Sequence, residues 1–228
     1  MSRTIPREIE GADWRVWPEQ ARRLGWAKLF GIAAGAPLRL NVDIGFGRGE
    51  FLTELARQDP GKAVVGVESS SKRVLKLARR LSRTELRNIR LFGVEAGWAV
   101  REAFAEDSVE CFWVNFPDPW PKRRHERRRL VQPDFVHELS RRLMAGGSLH
   151  VATDDRNYAA AIRSALECES LLENAHAPDP HRSERPDTLP TTYQLAWAAE
   201  GRSCFFFHYR RPKVIAARRP VEPSRAAS

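Results

Sequence analysis

Apolar residues occur along this chain in short continuous runs separated by polar, turn-forming segments. Runs of this length bounded by turn residues predict buried strands at Leu40–Ile44, Ala63–Val67, Ile89–Val94, Val109–Phe116 and Leu149–Ala152. A later apolar and aromatic run, Cys204–Tyr209, predicts a further strand near an edge of the same sheet.

Between these runs the apolar residues are spaced so that they share one face of a helix. The helical segments are Phe51–Leu55, Val74–Leu81 behind a serine-rich N-cap at Ser69–Ser71, a helix that begins at Pro133, carries Phe135, Leu139 and Leu143 inward and is closed by Gly146-Gly147, and Tyr158–Leu166.

Strands that alternate with helices of this length predict an α/β fold, with a doubly wound, mostly parallel sheet and helices on both faces. We expect a basic N-terminal lead-in at residues 1–37, one domain at 38–212 and a flexible tail at 213–228. Residues 176–190, rich in Pro, Asp, Arg and Ser, are predicted to form a loop.

The charge of the chain is more informative than its overall composition. The chain has 228 residues with 38 Lys and Arg against 29 Asp and Glu, a net charge of +9. This surplus favours a polyanionic partner, with nucleic acid ahead of a membrane surface, although arginines spread over a solvated surface would give the same total. No secretory signal or membrane-spanning segment is apparent, so the expected location is the cytosol.

Cysteine and histidine spacing gives no sign of a metal site or a disulfide framework. Cys111, Cys168 and Cys204 are far apart and form no CxxC pair, so each is expected to be a small buried apolar residue. The histidines lack metal-ligand spacing. We therefore predict no metal cofactor.

A glycine loop follows the first predicted strand, where doubly wound sheets bind their ligands. Gly45, Gly47 and Gly49 alternate with other residues directly after Asp43. A dinucleotide-binding loop would place its third glycine one residue later, where this chain has Glu50, and this opposes a dehydrogenase. The spacing favours a ligand without a diphosphate.

Three acids are predicted near the ends of successive strands, at the rim that such ligands occupy. Asp43 lies just before the glycine loop, Glu68 ends the second strand and Glu95 ends the third. Carboxylates there suit S-adenosylmethionine, which carries an ammonium, a sulfonium and ribose hydroxyls. The alternative is that each is a surface acid or a helix cap.

The fourth strand runs into Asn115–Trp120, in which two prolines flank Asp118 and hold its carboxylate at the sheet rim. Six Lys or Arg residues then occur in the eight residues 122–129. Such a run is often a solvated helix face. Beside Asp118, however, it would extend a cationic surface along a phosphate backbone, with Lys122 and Arg124 among the contacts.

The segment Phe116–Leu130 closely resembles the signature of the bacterial tRNA guanine-N7 methyltransferase family. The loop at residues 43–49, Gly66-Val67-Glu68 and Ala152-Thr153-Asp154 are also similar to family motifs, and the resemblance extends from Trp26 to Tyr158. It implies a Rossmann-like class I methyltransferase domain, S-adenosylmethionine as cofactor, and methylation of guanine 46 in the tRNA variable loop.

The resemblance also implies roles for particular residues. Those that fall at the family's cofactor positions are Asp43, Glu68, Glu95 and Asp118, to which the glycine loop adds Gly45, Gly47 and Gly49. Asp118 is implied as the active-site acid. Substrate contacts are implied for Lys122, Asp154, and the Thr191–Gln194 segment, in which Thr191 and Gln194 bound a Thr-Thr-Tyr-Gln sequence where the family has Thr-Lys-Phe/Tyr-Glu.

Guanine N7 has a lone pair and no proton, so its methylation needs alignment rather than a general base. Asp118 is therefore expected to orient the base and stabilise its developing positive charge. Two alternatives remain open at this point. One is methylation of an exocyclic amine, and the other is a non-catalytic RNA-binding protein, for which Gln194 in place of Glu is the motivation.

Overall fold

A computed structural model describes residues 8–184 and 203–213 of the chain. Its strands are β1 (Arg15–Val16), β2 (Leu40–Ile44), β3 (Ala63–Val67), β4 (Ile89–Phe92), β5 (Val109–Asn115), β6 (Leu143–Thr153), β7 (Glu173–Asn174) and β8 (Phe205–Arg210). Its α-helices are α1 (Pro18–Leu29), α2 (Glu50–Gln58), α3 (Ser71–Leu81), α4 (Ala96–Ala103), α5 (Pro133–Arg142) and α6 (Arg156–Glu167). A 3-10 helix spans Arg123–Arg128.

The strands form one sheet in the order β1-β4-β3-β2-β5-β6-β8-β7. Pairing is parallel from β1 to β6, whereas β8 runs antiparallel to both β6 and β7. The strand order reverses at β2, whose neighbours are β3 and β5. This topology confirms the predicted doubly wound, mostly parallel α/β sheet, and it makes the carboxyl ends of β2 and β5 the expected ligand crevice.

Alternating side chains of the buried strands divide the core between two helix layers. Val64 faces α2 and α3, while Val65 and Val67 face the layer that contains α1, α4, α5 and α6. β2 and β3 are buried at every position, as continuous apolar runs in parallel sheets require. Both helix layers therefore hold the carboxyl ends of the strands in place.

The sequence predicts most of these elements closely. Strands β2 and β3 have the predicted bounds, β4 and β5 end within two residues of theirs, and β8 is displaced by one residue. Ser70 caps α3, since its side chain accepts a hydrogen bond from the backbone of Arg73 at 3.4 Å. The layer that contains α1, α4, α5 and α6 is less well predicted, because α1 and α4 are absent from the sequence prediction. The edge strand β1 is absent from it as well.

The prediction that Leu143 belongs to a helix closed by Gly146-Gly147 is wrong. Helix α5 ends at Arg142, and Leu143 begins β6, which is much longer than the predicted Leu149–Ala152. The glycines lie at an irregularity in the pairing of β6 with β5. A Cβ atom on Gly147 would lie 2.9–3.1 Å from backbone carbonyl oxygens of both strands, so only glycine permits this close approach.

Part of the predicted N-terminal lead-in joins the folded sheet. β1 pairs with β4, and the Trp26 ring stacks on Phe104 at 5.4 Å between centroids. Its indole nitrogen donates to the carbonyl of Ala103 at 2.6 Å. This region therefore contributes to the core that supports α4.

Cys111 and Cys204 are buried, as predicted. Cys168 is exposed, which contradicts the prediction for that residue, because it lies just beyond the C-terminal end of α6. No helix in the described part of the chain is long and apolar enough to cross a membrane.

Candidate active site

The glycine loop joins β2 to α2 with three residues in the left-handed region of the backbone. Gly45, Gly47 and Gly49 have φ angles of 76°, 58° and 79°, which glycine adopts without steric cost. A Cβ atom on Gly45 would meet nothing within 4 Å, so the loop leaves open space on its ligand side. A Cβ atom on Gly49 would lie 2.4 Å from Leu77, so this glycine allows α3 to pack directly against the loop.

Glu68 links the second strand to the glycine loop. It follows β3, is 5% exposed, and its Oε2 accepts a hydrogen bond from the backbone N–H of Gly47 at 3.1 Å. The other carboxylate oxygen, Oε1, accepts from the backbone of Ser70 at 2.9 Å, and Nη1 of Arg73 lies 3.4 Å from Oε2. Glu68 thus organises the loop, and its oxygens retain lone pairs for a ligand hydroxyl.

Glu95 occupies a different local position from the one expected. Strand β4 ends at Phe92, so the prediction that Glu95 ends a strand is wrong by three residues. Its carboxylate instead caps α4, accepting from the backbone N–H groups of Gly97 and Trp98, each at 2.7 Å. The helix cap considered as an alternative is therefore observed, although the side chain still lines a cavity at the rim.

Asp118 lies in a loop whose backbone is held in an uncommon conformation. Phe116 and Trp120, on either side of it, have positive φ angles of 51° and 45°. Such angles in bulky residues cost about 1–3 kcal/mol each and require support from surrounding structure. The Phe116 N–H donates to the carbonyl of Ala152 on β6 at 2.8 Å, which fixes the start of the loop.

The end of this loop is supported by Arg129, which sequence reasoning placed in the basic run. Arg129 is only 7% exposed, and its Nε donates to the carbonyl of Pro119 at 2.8 Å. Its guanidinium lies over the ring of Tyr158, 5.1 Å from the centroid. The Tyr158 hydroxyl in turn accepts from the Val131 N–H at 2.9 Å, and burial raises the pKa of this tyrosine to about 12.

The remainder of the basic run is exposed. Residues 123–128 form the 3-10 helix, none of which is buried, and Lys122 and Arg124 are both exposed. Arg128 lies over the Trp120 ring at 5.1 Å, so one cation of the run contacts the Asp118 loop directly. The run thus combines one buried structural arginine with several cations available to a partner.

Two adjoining cavities of about 510 Å³ and about 340 Å³ open at the carboxyl ends of the strands, with Asp118 on the wall that they share. The first is lined by Asp43, Gly45, Gly47 and Asp154, and the second by Gly45, Glu68 and Glu95. Asp43 is 2% exposed, within β2. The structure therefore brings together every predicted cofactor residue except Gly49, which caps α2 instead.

The predicted substrate residues are less concentrated. Asp154 lines the larger cavity, while Lys122 and Arg124 line neither cavity. Thr191 and Gln194 lie outside the described residues. Within residues 8–184 and 203–213, no group of three or more His, Cys, Asp and Glu side chains is arranged to hold a metal ion.

A row of stacked aromatic rings crosses the sheet near this site and was not predicted. The rings of Trp113 and His150 stack at 4.0 Å between centroids, and those of His150 and His208 at 4.1 Å. Strand register creates the row, because these residues are direct cross-strand partners on β5, β6 and β8. Only the pairing of strands distant in sequence could have revealed it.

Comparison with known proteins identifies relatives that match most of the chain. The model of a family described as "Putative methyltransferase" matches residues 38–207. A tRNA (guanine-N(7)-)-methyltransferase of Thermotoga maritima is 36% identical over 87% of this chain and 61% of its own length. The chain thus spans under two thirds of that relative.

Another relative is matched over nearly its full length. A tRNA (guanine-N(7)-)-methyltransferase of Halorhodospira halophila is 34% identical over 90% of this chain and 87% of its own. Among solved structures, the 16S rRNA methyltransferase KamB has a TM-score of 0.56 at 14% identity, covering 85% of this chain and 92% of that one, which supports the fold alone. The chain belongs to the tRNA (guanine-N(7)-)-methyltransferase family.

Proposed function

We propose that this chain transfers the methyl group of S-adenosylmethionine to N7 of a guanine in tRNA, at position 46 as the family resemblance implies. The observation that carries the proposal is the pair of cavities that meet at Asp118, where the glycine loop and the carboxylates of successive strands converge. Family membership supports both the methyl donor and the tRNA substrate.

The chemistry of these cavities fits S-adenosylmethionine. Their volumes lie at the scale of small-molecule sites. The larger cavity has four carboxylates on its walls and the smaller one has three, which favours a cationic ligand. Gly45 leaves space for close approach to the backbone. In this assignment the cofactor is bound by Asp43, Glu68, Glu95 and Asp118, together with Gly45 and Gly47. Gly49 shapes the glycine loop that contains these two glycines.

When bound, the cofactor supplies an electrophilic methyl group on a sulfonium. The chain's part is to hold N7 of the guanine in line with that methyl, because the N7 lone pair attacks without loss of a proton. Positive charge moves onto the purine ring during the transfer. A carboxylate held at a fixed position by Arg129 and the flanking prolines stabilises that charge with little reorganisation, so Asp118 orients and stabilises rather than acting as a base.

Exposed cations beside the cavities provide the contacts to RNA in this proposal. Lys122 and Arg124 would contact phosphates, Asp154 would contact the base from the wall of the larger cavity, and Thr191 and Gln194 would complete the base site. A tRNA substrate also makes the cytosol the expected location. We therefore propose that carboxylates bind the cofactor and the base, and that arginines and a lysine bind the RNA backbone.

The test is incubation with unmodified tRNA and cofactor carrying a labelled methyl group, followed by mapping of the labelled nucleotide. We expect N7-methylguanine at position 46, identified by strand cleavage after borohydride and aniline treatment. Label in a nucleotide resistant to that treatment would assign methylation of an exocyclic amine instead. Tight binding of tRNA and cofactor with no transfer of label would establish a non-catalytic RNA-binding protein.

A further inference from the structure

The exposed side of α3 is a second concentrated cationic surface, separate from the basic run. Residues 71–84 contain six Lys and Arg residues and no acid. Five of these cations, four on α3 and one just beyond its end, are exposed and form what we call the α3 cationic face: Lys72, Arg73, Lys76, Arg80 and Arg83. On the opposite side of the same helix, Val74, Leu77, Ala78 and Leu81 pack into the core.

This arrangement differs from that of an ordinary solvated helix. Several exposed arginines elsewhere pair with acids, as in Arg22–Glu102, Arg57–Glu54 and Arg163–Glu167. On the α3 cationic face, by contrast, Arg73 alone has a carboxylate partner, Glu68, among the described residues. Lys76 and Arg80 are four residues apart, and like charges at that spacing destabilise a helix.

The helix dipole does not account for the charge either. Cations near a helix C-terminus are favourable, which suits Arg80, but Lys72 and Arg73 lie in the first turn of α3, where the dipole favours acids. The cationic face therefore makes α3 less stable than a mixed surface would. A polyanion bound along it would remove this repulsion.

The α3 cationic face begins at the active site. Arg73 lines both cavities. About two turns further along, Arg80 donates from Nη2 to the carbonyl of Arg48 in the glycine loop at 2.9 Å, and Arg48 lines the larger cavity. From Arg73 to Arg80 the helix rises about 10 Å, at about 1.5 Å per residue. The cationic surface therefore extends outward from the place where the target base would bind.

Arg128 of the basic run lines the smaller cavity together with Arg73. A nucleotide turned out of an RNA strand into this site has two flanking segments of backbone, one on its 5′ side and one on its 3′ side. The basic run can neutralise one of these segments. The other segment needs a cationic surface of its own on a different side of the cavity.

We propose that the α3 cationic face binds the phosphate backbone of the RNA segment that leaves the active site on the side opposite the basic run. This inference rests on the proposed RNA substrate. Its partner is RNA rather than a membrane, because the face starts at the catalytic cavity and no exposed large apolar side chain, of the kind that would insert into lipid, accompanies it among the described residues.

The experiment uses the full chain with Lys76→Gln and Arg83→Gln combined, since neither residue lines the two cavities or contacts the glycine loop. Binding of unmodified tRNA is measured at several salt concentrations, with kcat, the KM for tRNA and the cofactor Kd. We expect the slope of log affinity against log salt to decrease in magnitude by about 1 to 2, as two phosphate contacts are lost. The KM for tRNA should rise several-fold, with kcat and cofactor Kd unchanged.

Two matched controls isolate the effect. Lys76→Arg with Arg83→Lys keeps both charges and should behave as the unmodified chain does. Arg23→Gln with Lys28→Gln removes the same charge from exposed positions of α1 on the other side of the sheet and should leave the salt slope nearly unchanged.

Equal salt slopes and equal KM values for the α3 and α1 variants would overturn the inference, as would stronger binding to anionic vesicles than to tRNA. If the unmodified chain methylates guanine N7 in tRNA while the α3 variant is unaffected, the proposal for α3 alone fails. If the unmodified chain transfers no methyl group to tRNA, the proposed function fails first.

Discussion

Arg129 donates its Nε–H to the carbonyl oxygen of Pro119 over 2.8 Å, and this hydrogen bond joins the end of the basic run to the residue that follows Asp118. The guanidinium is buried against Tyr158, so it is poorly placed to contact a phosphate. Arg129 therefore differs in role from the exposed arginines of the basic run. Arg129 positions the loop that carries the proposed catalytic carboxylate.

Replacing this arginine tests that role. Arg129→Lys keeps the charge but cannot both donate at the Nε position and stack on Tyr158. A buried hydrogen bond from a charged group is worth about 1.5–3 kcal/mol, and each 1.4 kcal/mol or so of lost transition-state stabilisation is about tenfold in rate. We expect kcat for methyl transfer to fall by about 10- to 100-fold with the KM for tRNA little changed.

Arg127→Lys is the matched control for this prediction, because Arg127 is an exposed cation of the same segment, and it should retain kcat. A large rise in the KM for tRNA with kcat unchanged for Arg129→Lys would show instead that Arg129 contacts RNA directly.

The close packing of α3 on the glycine loop gives a second prediction. Gly49→Ala introduces a methyl group 2.4 Å from Leu77 at a φ of 79°, so it adds a clash to the backbone strain, which alone is about 1–2 kcal/mol. Gly45→Ala has a similar φ and open space, and should show the strain alone. Urea unfolding should therefore give a larger loss of stability for Gly49→Ala.

Leu77→Ala in the Gly49→Ala background should remove the clash. The double variant is expected to be more stable than the sum of the two single changes implies. Strict additivity in the unfolding free energies would contradict the packing described for this loop.

Tyr158 leads to a prediction about alkaline pH. Its pKa is raised to about 12 by burial, and burial also raises the pKa of Tyr209. The folded protein thus holds these protons more tightly than the unfolded chain, whose tyrosines ionise near pH 10. The contribution to stability is complete below pH 10 and is lost as the pH rises through about 12.

Chemical unfolding at pH 8, 10 and 11 measures this loss. Tyr158→Phe should lower stability at pH 8 by about 1–2 kcal/mol, because the Val131 N–H loses its acceptor, and should weaken the decline above pH 10. An unchanged pH dependence in Tyr158→Phe would show that this hydroxyl does not carry the effect.

Much of the sheet could be predicted because its buried strands are continuous apolar runs bounded by glycine, proline or charged residues. β2 and β3 are the clearest cases, and the glycine loop between β2 and α2 follows directly from them. The prediction that Gly146-Gly147 ends a helix is wrong, although a glycine pair after a helical segment is a common helix end. Here it instead meets the carbonyls of a neighbouring strand, a contact that depends on tertiary structure.

The acids of the candidate site could be predicted from the sequence more readily than the residues that support them. Asp43, Glu68 and Asp118 could be found from their positions near strand ends. Arg129 could not be separated from the exposed arginines beside it, because burial depends on α6 and Tyr158. The sequence pattern does not predict helix α4 either, so a helix cap is only an alternative interpretation of Glu95.

The proposed role of Asp118 is tested by the rate of methyl transfer to saturating unmodified tRNA, measured from pH 6 to 8 for the unmodified chain and for Asp118→Asn. Asparagine keeps the shape of the side chain and removes its charge. Loss of one preorganised electrostatic group lowers kcat by about 10²- to 10³-fold, and we expect that loss at every pH, with a flat profile for the unmodified chain. Full activity in Asp118→Asn would show that this carboxylate does not stabilise the transition state, and a rate that rises with slope one through this range and loses that slope in the variant would show that it acts as a base.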